Sequence, residues 1–274
     1  MRRAFRRTHQ AVFRPQGRPR FSMSGSTEGA SEPLTVELVY FDIHARGELT
    51  RLCYAAHAAV GGNQTYVDTR LPLFMESEAN RRLIADIHRP ASPFSFFPYL
   101  KVKDESAGAA GSVRTMSGGC VIESFVARRL GLMGRSELEA GVCATVAENA
   151  VVLGMPELTR AGLFRDHPWI VHNVQPSTPL IGAVLKNLEQ YIVACSRHSL
   201  SNYIVGKELT LADLSVFNAV DECLLGPRSN EVQVGVEAEM RKHYPRLMLT
   251  YELVAAELAE YIVERQKRFL HAVH

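Results

Sequence analysis

From Leu34 the chain alternates apolar and polar side chains through Leu-Thr-Val-Glu-Leu-Val-Tyr40-Phe41, the period of a strand with one buried face. Asp-Ile-His-Ala then makes a tight loop. Apolar positions recur at Leu49, Leu52, Cys53 and Ala56, spaced i, i+3, i+4 and i+7. That spacing predicts a helix, closed by Gly61-Gly62-Asn63. A short second strand is expected around Gln64–Val67, followed by an irregular, proline-punctuated stretch over 71–95 with one helix near 77–87. The run from Ser95 to Lys103 predicts a strand that opens on Pro98, where no central ladder bond is lost. Residues 104–119 predict an enlarged hairpin, a fourth strand near Val113–Met116 and a glycine turn. Val121, Ile122, Phe125, Val126 and Leu130 mark the next helix, which stops at Gly131.

This first half has the order β-α-β, then β-β-α, which is thioredoxin-like. From Ser136 the pattern is only helical, with apolar faces through 138–153, 180–195, 211–225 and 247–264. Thr210-Leu-Ala-Asp213 has the shape of a capping box ahead of Leu214, Phe217, Val220 and Leu224. In the last of these helices Val254, Leu258, Tyr261 and Ile262 supply the apolar face. The fold class is therefore α/β followed by all-α. A thioredoxin-like domain is expected over 34–134 and an all-helical domain over 135–274.

The formal charge of +2 conceals an asymmetry. Residues 1–27 hold seven arginines and no acid, and without them 24 basic side chains face 29 acidic ones, a net charge near −5. An acidic body argues against a nucleic-acid role. The arginine-rich opening, with Ser and Phe, has the composition of a mitochondrial or plastid transit peptide. The alternative is a basic arm, or Met23 as the true start, on a cytoplasmic protein. Residues 24–33 have linker composition, so residues 1–33 form an extension and linker. No apolar run approaches the roughly 18 residues that a membrane span needs. Five scattered cysteines without a CxxC argue against a disulfide framework and a zinc site.

Candidate chemistry sits at the first strand's end. Tyr40 and Arg46 place a phenol and a guanidinium beside a helix N-terminus, a combination suited to holding an anion such as a thiolate. Five passages then bear a resemblance: Leu-Val-Tyr40-Phe41 with Ala-Arg46-Gly-Glu48-Leu-Thr-Arg51-Leu; Pro93-Phe94-Ser-Phe-Phe97-Pro98-Tyr-Leu; the Ala-Arg-Arg-Leu-Gly-Leu-Met-Gly-Arg-Ser run from Ala127; Tyr203-Ile-Val-Gly206 through Thr210-Leu-Ala-Asp213-Leu; and Tyr-Pro-Arg-Leu at 244–247. In this order and spacing, over about 34–265, the chain resembles the soluble two-domain glutathione transferases. It is most similar to the sigma class, which includes the glutathione-dependent prostaglandin D synthases.

The resemblance implies a glutathione site on the thioredoxin-like domain and a hydrophobic electrophile pocket drawing on the helix at 138–153 and the C-terminal segment. It also implies a homodimer, with glutathione as cosubstrate and no metal. Tyr40 matches the tyrosine whose hydroxyl donates to the sulfur, and Arg46 the arginine beside it. Pro98 matches the cis-proline that presents the Phe97 backbone to the cysteinyl unit, and Arg89 a basic residue for the glycyl carboxylate. Glu148 is the candidate for the acid that one subunit contributes to the γ-glutamyl amine of glutathione bound by the other. Gly118-Gly119 departs from the family's Gln-Ser, whose hydroxyl binds the γ-glutamyl carboxylate. That departure motivates an alternative, a non-catalytic ligand-binding or assembly protein with this fold. Cys120 opens the same helix, where a dipole lowers a thiol pKa, although a buried structural cysteine is the plainer reading. His167, Pro168 and Trp169 are expected in a loop or pocket wall, and His172 falls in the same helical half.

Overall fold

The computed structural model describes residues 34–72, 77–104, 112–154, 169–179, 181–197, 201–226 and 231–272. The arginine-rich opening, most of the 104–112 loop, His167, Pro168 and the side chain of Trp169 lie outside them. Strands β1 (Leu34–Phe41), β2 (Val67–Leu71), β3 (Tyr99–Asp104) and β4 (Val113–Ser117) form one sheet in the order β2-β1-β3-β4. β1 runs parallel to β2, with Tyr40 opposite Arg70, and antiparallel to β3, with Val39 opposite Tyr99. The parallel pair requires a crossover, which α1 (Ala45–Ala59) supplies.

Alternation along β1 sends Val36, Leu38 and Tyr40 into the main core, beside Leu52 and Cys53 of α1 and Ile122 and Val126 of α3 (Gly119–Arg129). Val39 and Tyr99 face the other way, where Leu71 and Ile84 cover them. Ile84 belongs to α2 (Glu78–Arg82), which runs on through a π turn at Leu83–His88 to Arg89–Ala91. The sheet is thus covered on both faces.

The remaining elements are helices: α4 (Glu137–Val151), α5 (Trp169–Asn173), α6 (Ile181–Ser196), α7 (Leu211–Val220), α8 (Glu231–His243), α9 (Pro245–Glu257) and α10 (Ala259–Ala272). α7 is the buried axis and packs on α4, α9 and α1. Its N-terminus is fixed as the sequence predicts. Asp213 is fully buried and accepts from the Thr210 N–H at 3.0 Å, the Thr210 hydroxyl at 2.8 Å and the Ile204 N–H at 2.8 Å. Burial outweighs these bonds and pushes its carboxyl up to about 6.

Several expectations need correction. The second strand is at Val67–Leu71, later than Gln64–Val67, because Tyr66 turns inward and stacks on Tyr54 at 4.1 Å. β3 begins after Pro98, not at Ser95, since the 3-10 turn Pro93–Ser95 occupies the start of the expected strand. The last helix is two, broken at Leu258, and α8 carries only Val236 and Met240 as buried residues. So thin an apolar stripe left α8 unread in the sequence.

Asp213→Ala would strand the Ile204 and Thr210 donors in the core, where each unpaired group costs on the order of 1–3 kcal/mol. Urea unfolding should show a loss of about 3 kcal/mol with an unchanged slope.

Candidate functional site

Tyr40 is buried near the C-terminal end of β1, its ring lying against Gly47. A Cβ on residue 47 would come 2.4 Å from the Tyr40 Cδ1, so only glycine fits there. The Tyr40 hydroxyl reaches the backbone N–H of Arg46 in the first turn of α1. Burial raises the phenol pKa, although that N–H and the Arg46 guanidinium pull it down. A neutral phenol is a hydrogen-bond donor, which is what an adjacent anion requires. The Arg46 side chain is itself exposed. Ala45, just before it, has φ of 38°, a backbone conformation that costs a non-glycine residue about 1–3 kcal/mol.

Buried charges hold this loop in place. Arg51 on α1 is 1% exposed and donates to the Ile43 carbonyl at 2.7 Å, the Phe41 carbonyl at 3.4 Å and both oxygens of Asp68. Glu48, equally buried, accepts from the Tyr261 hydroxyl at 2.8 Å and from Arg265 at 3.3 Å. Arg265 also donates to Asp221 at 2.6 Å. Burial alone would depress the Arg265 pKa, but Asp221 and Glu48 raise it. His44 lies 3.9 Å from Glu222, and burial with Arg265, Arg51 and Arg70 drives its imidazole down to about 3. Gly47, Glu48 and Arg51 sat in the motif without an assigned role. The signal for Gly47 is its place seven residues after the tyrosine, at the helix start.

Across the sheet end, the Phe97–Pro98 bond is cis. Phe97 lies just beyond the last β1–β3 pair, and its ring contacts Phe41 at 5.2 Å and Tyr99 at 5.7 Å. Its backbone is therefore at the sheet's open end, where an extended ligand adds as a strand. The segment before it is tied down by the Ser92 hydroxyl on the Phe96 carbonyl and by Ser117 on the Pro93 carbonyl at 2.8 Å. Arg89 is exposed, and among the described residues nothing joins it to Tyr40, Arg46 or Pro98.

Gly118 caps α3 with φ of 96°, in the region that glycine tolerates best. Gly119 begins the helix. Four residues on, Glu123 is 4% exposed, and its Oε1 lies 3.4 Å from where a Cβ on residue 119 would sit. Its Oε2 is buried without a hydrogen-bond partner among the described residues. Burial, then Glu148 on α4, pushes this carboxyl up to about 8. Glu148, expected to act across a subunit interface, hydrogen-bonds the Cys120 thiol of its own chain. Cys120 departs from the dipole expectation: burial, then Glu148, raises its pKa to about 12. Both causes work against the thiolate form at this position. Glu123 went unread, and its signal was a single acid inside the apolar run Val121-Ile122-Phe125-Val126.

Two clefts lie near the elements expected to line a pocket, and neither includes Tyr40 or Arg46 in its lining. One cleft of about 250 Å³ beside the β1–α1 loop is lined by Asp42, His44, Asp68, Arg70, Tyr261 and Arg265 among others, mostly polar or charged. A second, of about 260 Å³, lies between α4 and α6, around Thr145, Val152, Leu188 and Tyr191. Residues of the helix at 138–153 and of the C-terminal segment thus line different clefts of these two. His172 is exposed. No helix among the described residues is long and apolar enough to cross a membrane, and none of their His, Cys, Asp and Glu side chains form a metal-holding group.

Comparison with known proteins gives this geometry a setting. Residues 178–265 match the family described as glutathione S-transferase, C-terminal domain. The chain is 24% identical over 236 residues to the class-mu 28 kDa glutathione S-transferase isozyme of Schistosoma japonicum, covering 84% of this chain and 98% of that protein. Among solved structures it is similar to a major nematode-specific glutathione transferase of C. elegans, with a TM-score of 0.59, 18% identity, and 84% and 96% of the two chains covered. A monomeric glutathione S-transferase of the hookworm Necator americanus matches with a TM-score of 0.56, 18% identity, and 84% and 97% covered. The chain has the glutathione transferase fold: a thioredoxin-like part with a four-stranded mixed sheet, then a helical part.

Two outcomes are expected. Gly47→Ala should push the Tyr40 ring off α1 and destabilise the protein by about 1–3 kcal/mol, with the change visible in near-ultraviolet circular dichroism and in the phenol titration. Glu123→Gln should alter the pH dependence of stability. A carboxyl whose pKa is raised on folding costs stability progressively from about pH 4.5 to about 8. The variant should therefore gain on wild type across that window, by about 5 °C or more in Tm at pH 8.

Proposed function

We propose that this protein is a glutathione transferase in which Tyr40 donates a hydrogen bond to the glutathione thiolate. The observation that carries the reading is the Tyr40 hydroxyl, buried on Gly47 at the first turn of α1 and facing the Arg46 N–H. Glutathione thiol is largely protonated at neutral pH, and only its thiolate attacks well. A fixed donor beside a cation lowers the thiol pKa, and binding brings an electrophile alongside, so electrostatics and proximity act together. Arg46 supplies the cation, as the arginine beside the tyrosine does in the sigma-like enzymes that the chain resembles. The cis Phe97–Pro98 turn offers backbone to the cysteinyl unit, and Arg89 is the candidate for the glycyl carboxylate.

In this reading the reaction is conjugation, isomerisation or peroxide reduction of a hydrophobic electrophile by a homodimer. The glutathione S-transferase names of its relatives support the class.

Tyr40→Phe removes one hydrogen bond to a charged sulfur, worth about 1.5–3 kcal/mol, so chlorodinitrobenzene conjugation should fall roughly tenfold to a hundredfold. Conjugation that is unchanged in Tyr40→Phe would sink the assignment. Wild-type protein that neither conjugates nor is retained on immobilised glutathione would instead support a non-catalytic binding role.

A further inference from the structure

The N-terminus of α3 holds two observations that belong together. The first is the missing hydroxyl: Gly118-Gly119 leaves a helix N-terminus with backbone N–H groups but no side chain to grip an anion. The second is Glu123, buried one helical turn on, with one oxygen beside the place of the absent Cβ and the other without any partner among the described residues. Positions i and i+4 share a helix face, and side chains lean toward the N-terminus, so Glu123 points at the bare end of its own helix.

We propose that the Glu123 carboxyl takes over the work of the hydroxyl absent at Gly119, donating a hydrogen bond to the α-carboxylate of the γ-glutamyl unit of glutathione. A protonated carboxyl has one O–H donor, as serine does. The absence of a side chain at 119 opens the approach. Burial and the nearby acid Glu148 both favour the protonated form of Glu123. Cys53 from α1 is a fully buried thiol whose pKa burial raises, Glu148 from α4 is a second acid, and Cys120 on the same helix hydrogen-bonds Glu148. Among the described residues no charged group of α7 or β4, which also pack on α3, acts on it. The incoming carboxylate raises the Glu123 pKa further, since like charges cannot share the site. The α3 dipole holds the carboxylate while Glu123 keeps the proton. The site thus selects a thiol with a free α-carboxylate and couples its binding to a proton.

This inference rests on the glutathione reading, and the test separates the two. S-Methylglutathione, whose sulfur cannot ionise, is titrated calorimetrically from pH 6.5 to 9 into wild type, Glu123→Gln, Glu123→Ala and Gly119→Ser. The ligand's amine titrates identically in every case, so differences between variants report on the protein. Wild type should lose about tenfold in affinity relative to Glu123→Gln as pH rises from 7 to 9, and at pH 8 it should take up a proton on binding that Glu123→Gln does not. At pH 7, Glu123→Ala should bind about tenfold more weakly than wild type, and adding Gly119→Ser to it should restore binding. Parallel pH profiles for wild type and Glu123→Gln would overturn the role of Glu123 and leave the glutathione reading standing. No binding by wild type or Gly119→Ser at any pH would overturn that reading, and this inference with it.

Discussion

The buried guanidinium of Arg51 is the constraint on which the rest of the site depends. A charge this deep is tolerated only when its donors are matched, and removing one partner of a buried pair costs about 3–5 kcal/mol. Arg51 meets that condition by drawing three separate pieces of chain onto itself: the Phe41 and Ile43 carbonyls from the end of β1, Asp68 from β2 and Glu48 from its own helix. The loop between Phe41 and Ala45 is thereby fixed at both ends. Tyr40, Gly47 and the Arg46 N–H are set by that loop. The unusual Ala45 backbone persists because its surroundings over-determine it.

The same charges couple the sheet to the helices. Glu48 lies between Arg51 and Arg265, and Arg265 continues to Asp221, which also accepts from Tyr251 at 3.2 Å. The network therefore joins α1 to the segment after α7 and to α9 and α10. An ion-pair chain of this kind contributes little net stability for its burial, but each member has one low-energy arrangement. Its effect is positional. α10 is held against the β1–α1 loop by polar contacts, and charged side chains line the cleft beside the loop.

What was legible in the sequence follows the range of the interactions. The strand–loop–helix at 34–59, the helix after Gly119 and the Thr210–Asp213 cap are local, written in periods of two and 3.6 and in side chains three residues apart. The cis bond before Pro98 was legible only through resemblance, since composition does not separate it from an ordinary strand-opening proline. The Glu48–Arg265 contact joins residues 217 apart, and no local pattern marks it. β2 was misplaced for a related reason. Tyr66 turns its ring onto Tyr54, so an aromatic counted toward the strand belongs to the packing before it. Glu123 left only a faint mark, a lone acid in an apolar run, because an acid on a helix normally reads as a solvated position.

Gly118, Gly119 and Glu123 are best understood together. At φ of 96° a side-chain-bearing residue at 118 would be strained, and glycine removes that strain while giving up a polar group. Glycine at 119 gives up a second. A helix N-terminus stripped of both would keep only its dipole and N–H groups to hold an anion, and that attraction is modest at an exposed site. A buried, unpaired carboxyl one turn away would be a liability in a purely structural role, because it costs stability at every pH above its unfolded-state titration. Such a cost persists where the group has a task, and a protonated acid aimed at the stripped helix end has the one donor that this end lacks. The weakness at 118–119 and the strain of Glu123 thus explain each other better than either is explained alone.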